Sequence, residues 1–327
     1  MTDRRRFVLA LGASALAVSL ASLAQQQRKV PRVGFLMSET RSSEATRIEA
    51  VRAGLREHGY VEGTNIAIEI RSADGNYDRL PELAAELAGL QVDVIVAFGA
   101  KAVVAARRAT TTTPIVDPIM GDPVALGLSS GLARPGGNIT GSVAFNSEAN
   151  AKGLAFLKEA VPRISRVAML VNPANAGTSL GVQNVRAAAS ALKLDLQTIE
   201  VRNADEIGVT FATIAQRRIE AIVVASDTLL RANAGEIAAL AAKQRLPSAG
   251  TREFVAAGGL IGYGVDSLAL YRRAAYFADR IIKGAKPDDL PIERATKLEL
   301  VVNLKTAKAL GLTIPQSLLL RADEVIQ

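Results

Sequence analysis

Cysteine is absent from the 327 residues, which excludes a disulfide framework, a thiolate metal site and the lipid-anchoring cysteine of a lipoprotein leader. Histidine occurs once, as His58 in Arg56-Glu57-His58-Gly59. That position reads as a helix end, where the dipole favours a cation, and no second His or Cys exists to share a metal. Tryptophan is also missing, and aromatics make up 4 % against 49 % hydrophobic residues. The apolar content is therefore Ala, Val, Leu and Ile, the composition of helices packed on buried parallel strands. There is no Walker pattern, no His-Glu-x-x-His and no calcium loop. Gly127-Leu128-Ser129-Ser130-Gly131 has the spacing of a nucleophile elbow, but Ser129 falls inside a helix expected over 123–133, and His58 precedes it, against the Ser…Asp…His order. Gly262-Tyr263-Gly264-Val265-Asp266-Ser267 lacks the third glycine of a dinucleotide fingerprint and lies far from the first strand. Nothing compels catalysis, and no cofactor is expected.

The charge surplus of +7 is moderate, and three arginines against one aspartate of it lie in the first six residues. Basic pairs such as Arg107-Arg108, Arg217-Arg218 and Arg272-Arg273 are scattered and not interleaved with aromatics, so a nucleic-acid groove is not expected. The first 24 residues have a basic start at Arg4-Arg5-Arg6, an apolar run over 7–23 and a small-x-small site at Ser22-Leu23-Ala24. That is the layout of a secretory signal peptide, with Arg4-Arg5-Arg6-Phe7 compatible with either twin-arginine or general export. The run is short for a membrane anchor, so cleavage near Ala24 and a free protein outside the cytoplasm are expected.

Along the remaining chain, strand-like runs alternate with helical spacing. Arg32–Met37, Ile66–Ile70, Asp93–Phe98 and Pro114–Val116 come first, each followed by a helix; Arg166–Val171, Asp195–Glu200, Ala221–Ala225 and Pro247–Ala249 repeat the grammar. Such alternation predicts parallel sheets covered on both faces, and its repetition predicts two Rossmann-like lobes. Ile139–Val143 is expected to cross from the first lobe to the second. The tail, a glycine-containing strand over 259–264 followed by a helix over 267–283 and a second extended segment over 291–302, is expected to return to the first lobe and cross back. This assigns 30–143 with 262–285 to lobe 1 and 144–261 with 290–327 to lobe 2, joined by a three-segment hinge.

Ligands of open parallel sheets bind beyond the carboxyl ends of the strands, where helix N-termini present unpaired N–H groups. The loops at those ends carry Ser38, Phe98, Gly99, Ala100, Met120, Asp122, Phe145, Asn172, Asp227 and Tyr263. Ser38, Gly99 and Ala100 offer an anion site, Asp122 and Asp227 suit a cation, and Phe98, Phe145 and Tyr263 offer stacking faces. A zwitterion such as an amino acid satisfies both charges. Asp122 precedes Pro123 and also reads as a helix cap in its own right.

Several blocks in order, Gly54-Leu-Arg-Glu-His-Gly-Tyr-Val-Glu-Gly-Thr-Asn-Ile66, Arg79-Leu-Pro-Glu-Leu-Ala-Ala-Glu-Leu87, Gly121-Asp-Pro-Val124, Leu132-Ala-Arg-Pro-Gly-Gly-Asn-Ile-Thr-Gly141 and Asn303-Leu-Lys-Thr-Ala-Lys-Ala-Leu-Gly-Leu-Thr-Ile-Pro315, resemble bacterial ABC-transporter substrate-binding proteins of the tryptophan/tyrosine-binding type. The resemblance implies a type I periplasmic binding fold and a monomeric, non-enzymatic receptor that delivers a small molecule to an ABC permease and its ATPase. A receptor feeding a sensor kinase is the alternative. It also implies that Gly99, Ala100 and Met120 to Asp122 face a ligand carboxylate and Asp227 its ammonium. A sugar-sensing regulator of the same fold would need a DNA-reading helix-turn-helix ahead of the first strand, for which 31 residues are too few.

Overall fold

The computed structural model describes residues 30–144, 146–175 and 177–327; the leader and Phe145 lie outside the described residues. In chain order the first half runs β1 (Arg32–Met37), α1 (Ala45–Glu57), β2 (Ala67–Ser72), α2 (Leu80–Gly89), β3 (Val94–Phe98), α3 (Ala100–Ala109), β4 (Ile115–Met120) and β5 (Ile139–Val143). The second half runs α4 (Asn146–Ala160), β6 (Arg166–Val171), α5 (Thr178–Ala191), β7 (Asp195–Glu200), α6 (Glu206–Gln216), β8 (Ala221–Val224), α7 (Thr228–Ala232), α8 (Ala234–Lys243), β9 (Ser248–Gly250), α9 (Arg252–Ala256) and β10 (Ile261–Val265). The tail comprises α10 (Ser267–Ile282), β11 (Glu293–Arg294), β12 (Leu298–Asn303), α11 (Leu304–Ala309), α12 (Gln316–Leu319) and β13 (Glu324–Ile326). Helix α4 is not anticipated from the sequence pattern.

Two sheets result. The first is parallel, in the order β11-β5-β4-β3-β1-β2; the second, β13-β12-β10-β9-β8-β6-β7, is parallel except for the β10–β12 pair. The central strands β1, β3, β6 and β8 are buried on both faces and read as near-continuous apolar runs. Val33, Phe35, Val94, Val96 and Val116 pack beneath α1 and α10, while Leu36, Ile95, Ala97 and Ile115 pack beneath α2 and α3. In the second sheet Val167, Met169 and Val223 face α4 and α5, and Ala168, Leu170 and Ile222 face α6 and α8. Helix ends follow local chemistry: Gly59 and Gly284 take φ of 85° and 98° just past α1 and α10, and Asn203 accepts from the Glu206 N–H at 3.2 Å while Glu206 reaches back to the Arg202 N–H at 2.8 Å.

Four expectations are corrected. β5 stays wholly within the first sheet, beside β4, and the chain crosses only after Val143. β10 belongs to the second sheet, parallel to β9 and antiparallel to β12, so the second crossing falls between Val265 and Ser267. A side chain at Gly262 would begin 2.8 Å from Val255 Cγ2 and 3.0 Å from the Thr251 carbonyl, so the strand nests against α9 of that lobe. The third crossing lies between β11, which pairs with β5 in the first sheet, and β12, which pairs in the second. Finally, 123–133 is a chain of turns with no helix. Asp122 accepts from the Val124 and Ala125 N–H groups, but Gly127 turns to φ 63° and the Ser129 hydroxyl donates to the carbonyls of Gly131 and Pro135. Ser129 is thereby committed to turn geometry.

Candidate functional site

The carboxyl ends of both sheets face one cavity of about 190 Å³, room for a metabolite and none for a polymer. Its first wall comes from Gly99 and Ala100, Ile119, Gly121 and Asp122; its second from Met169, Val171, Asn175 and Asp227, with Tyr263, Ser267 and Tyr271 contributed by the crossing.

At the first wall, Gly99 caps α3 with φ 99°, a left-handed conformation suited to glycine, and no side chain caps the helix. The first N–H groups of α3 therefore remain available at a partially positive helix end. Beside them lies the Ser38 hydroxyl, 1 % exposed and without a hydrogen-bond partner. A Cβ built on Gly99 would stand 3.3 Å from Ser38 Oγ and 2.7 Å from Thr228 Cγ2, so the two lobes nearly touch here. An uncapped helix start beside an unsatisfied buried hydroxyl is chemistry that suits an anion.

At the second wall, Asp227 caps α7. Its Oδ1 accepts from the Leu229 N–H at 2.8 Å and the Leu230 N–H at 3.3 Å, and Oδ2 accepts from Asn175 Nδ2 at 2.9 Å. Asn172 Nδ2 bridges both oxygens at 3.2 and 3.3 Å. Burial pushes the carboxyl above its ordinary range, against the pull of these donors. The amides fix the carboxyl group in orientation at the cavity wall. The rest of the lining mixes apolar residues, among them Met169, Val171, Leu180, Val224 and Ala225, with Asn150, Thr178 and Thr251 and the charged Arg47, Arg231 and Glu253.

Among the residues singled out from sequence, Gly99, Ala100, Asp122, Asp227 and Tyr263 line the cavity. Ser38 and Asn172 stand just behind the wall, next to Gly99 and Asp227. Phe98 and Met120 do not reach it. Phe98 is fully buried between Phe35 and Tyr271, with ring centroids 5.4 and 5.0 Å away, because it is on the face of β3 under α1 and α10. Met120 packs under α2 and α3. Phe145 lies outside the described residues.

Sequence reasoning missed Arg47, Arg231, Thr251, Glu253, Ser267 and Tyr271. For Arg47 a signal existed: Glu44 and Arg47 extend the apolar stripe of Ile48, Val51 and Leu55 at helical spacing, and charges in line with a buried face call for partners. Arg47 stacks over the Tyr271 ring at 5.0 Å and meets Glu253 at 3.4 Å; Arg231 pairs with Glu44. Burial raises the Glu44 carboxyl, opposed by Arg47.

Residues 39–326 match the family described as ABC transporter substrate binding protein. The chain belongs to that family. Its members are solute-binding proteins, not enzymes. A "Tyrosine-binding protein" from Clostridioides difficile (strain R20291) is 24 % identical over 259 residues, 79 % of this chain and 74 % of that protein. Among solved structures, an ABC domain from Streptococcus pneumonia in complex with L-Trp superposes with a TM-score of 0.84 at 24 % identity, over 91 % of this chain and 100 % of that one. A ligand-free, open structure of a substrate binding protein with adhesive properties from Clostridium difficile superposes with a TM-score of 0.64 at 22 % identity, over the same 91 % of this chain and 100 % of that one. This substrate-binding protein thus has the type I periplasmic binding architecture. Among the described residues no helix is long and apolar enough to cross a membrane.

Proposed function

We propose that this substrate-binding protein is exported, its leader cleaved near Ala24, and that it closes on an α-amino acid with a large apolar side chain and delivers it to an ABC permease and its ATPase. The observation that carries the reading is the pairing of opposite electrostatic receptors across one cavity. The bare start of α3 with the unpaired Ser38 hydroxyl suits the carboxylate, and the oriented Asp227 suits the ammonium. The apolar part of the lining, with Tyr263, suits an apolar side chain. Lobes 1 and 2, with boundaries at the three crossings described above, would move as the jaws. The Clostridioides relative named for tyrosine and the Streptococcus complex with L-Trp agree with this class of solute.

A thermal-shift screen of the purified chain against amino acids, purines, sugars and small carboxylates tests it. A solute at 100 times its Kd adds about 2.7 kcal/mol of stability. Aromatic L-amino acids are expected to raise the melting temperature most. A shift produced by sugars or purines and by no amino acid would reject the proposed solute.

A further inference from the structure

Four charged side chains meet at the seam between the lobes, Arg47, Arg231 and Glu253 on the cavity wall and Glu44 behind it. Glu44, at the start of α1 in the first lobe, has no exposed surface, and its carboxylate does not cap its own helix. It is turned instead to Arg231 of α7 in the second lobe, whose Nη1 also reaches the Ser43 carbonyl at 3.4 Å. One turn further along α1, Arg47 reaches Glu253 of α9 at 3.4 Å and the Ser267 hydroxyl at 3.5 Å, and Ser267 in turn donates to Glu253. The first lobe therefore supplies an acid and a base, and the second supplies their complements in the opposite order.

We infer that Glu44–Arg231 and Arg47–Glu253 form an interlobe clasp that assembles as the cleft closes and retains solute by holding the jaws together. The inference rests on the closing-cleft reading of the site and extends it to the charged pairs that join the two lobes. Glu44 does not line the cavity, yet it is buried because the other lobe covers it. Opening would return all four charges to water. In the closed form Glu44 faces Arg231 and, at 3.7 Å, Arg47 of its own helix, so loss of Arg231 would leave that buried carboxylate with the weaker partner alone. Arg231 and Glu253 stand on α7 and α9, the short helices after β8 and β9 whose N-caps, Asp227 and Thr251, reach the cavity wall. Solute contact and clasp formation are thus coupled through two short segments. The alternating charge order also fixes the register of closure, because a slipped closure would set like charges together.

The absence of native cysteine gives a direct test without any solute. Cysteines introduced at Ser38 and Thr228, which flank Gly99 from opposite lobes, form a disulfide only when the jaws meet. In oxidising buffer, Arg231→Glu in this background should slow trapping by about tenfold or more, and Glu44→Gln should slow it less. Because Glu44 also faces Arg47 at 3.7 Å, the pair is tested by removing both charges: the double variant Glu44→Gln with Arg231→Met should be about as slow as the slower single variant, as expected for a direct coupling. Should Arg231→Glu fail to fold, Arg231→Met removes the charge at similar length and carries the same expectation. An unchanged rate in the single variants, or a double variant whose slowing is the full product of the two single effects, would overturn the clasp. Because no solute is present, a wrong solute class leaves this readout untouched.

Discussion

Asp117 is a carboxyl set inside the first lobe. It is 3 % exposed, its Oδ1 accepts from the Ile119 N–H at 3.0 Å, and burial lifts its pKa to about 7. An unfolded aspartate titrates near 3.9, so between about pH 4 and 7 the folded chain binds more protons than the unfolded one. The contribution of this group to stability is greatest below that window and falls as pH rises through it. Asp117→Asn removes the titration. Between pH 5 and 8 the parent is expected to lose about 3 °C or more of melting temperature relative to the variant. Parallel melting profiles for the two proteins would refute the assignment. At this scale the sequence was readable where chemistry is local. Asp227 and Gly99 announce themselves as a cap and a bare helix start in a strand-to-helix loop. Phe98 did not, because which face of β3 points at the cavity depends on where α10, some 170 residues later, comes to rest.

Helix α10 is the element on which the two halves of the chain depend, since it follows the second crossing and packs on α1 of the first lobe. The contact is close at Gly54: an added Cβ would stand 2.3 Å from the Arg272 carbonyl oxygen and 2.7 Å from the Ala275 Cβ. Neither neighbour is a flexible side-chain tip. Gly54→Ala is therefore expected to force the helices apart at a cost of about 1–3 kcal/mol. Thermal denaturation should show a clear drop in melting temperature, and a variant as stable as the parent would contradict the packing described. Elements with uninterrupted periodicity, such as α6 and β6, follow from sequence almost residue for residue. The expected helix over 123–133 failed because Asp122-Pro123 starts a turn equally well, and Gly127 and Ser129 then redirect the backbone. The partner sheet of β10 was not legible either. A glycine-containing strand carries little facial pattern, and its allegiance is set by nesting on α9, a tertiary fact.

For the whole molecule, repetition of the strand-and-helix grammar made the two lobes and the three crossings visible, while the exact crossing points depended on sheet pairing. The cavity between the lobes presents a positive helix end on one wall and a fixed carboxyl group on the other, with apolar residues among those between. Recognition of a zwitterion is the central claim, and calorimetric titration with L-tyrosine, its decarboxylated analogue tyramine and its deaminated analogue 4-hydroxyphenylpropionate addresses it most directly. Each analogue leaves one charged receptor without its partner in a desolvated cleft, at about 2–4 kcal/mol. The amino acid should bind and both analogues should bind about thirtyfold or more weakly, since 1.4 kcal/mol is a factor of ten. Equal affinity for the amino acid and either analogue would contradict the account.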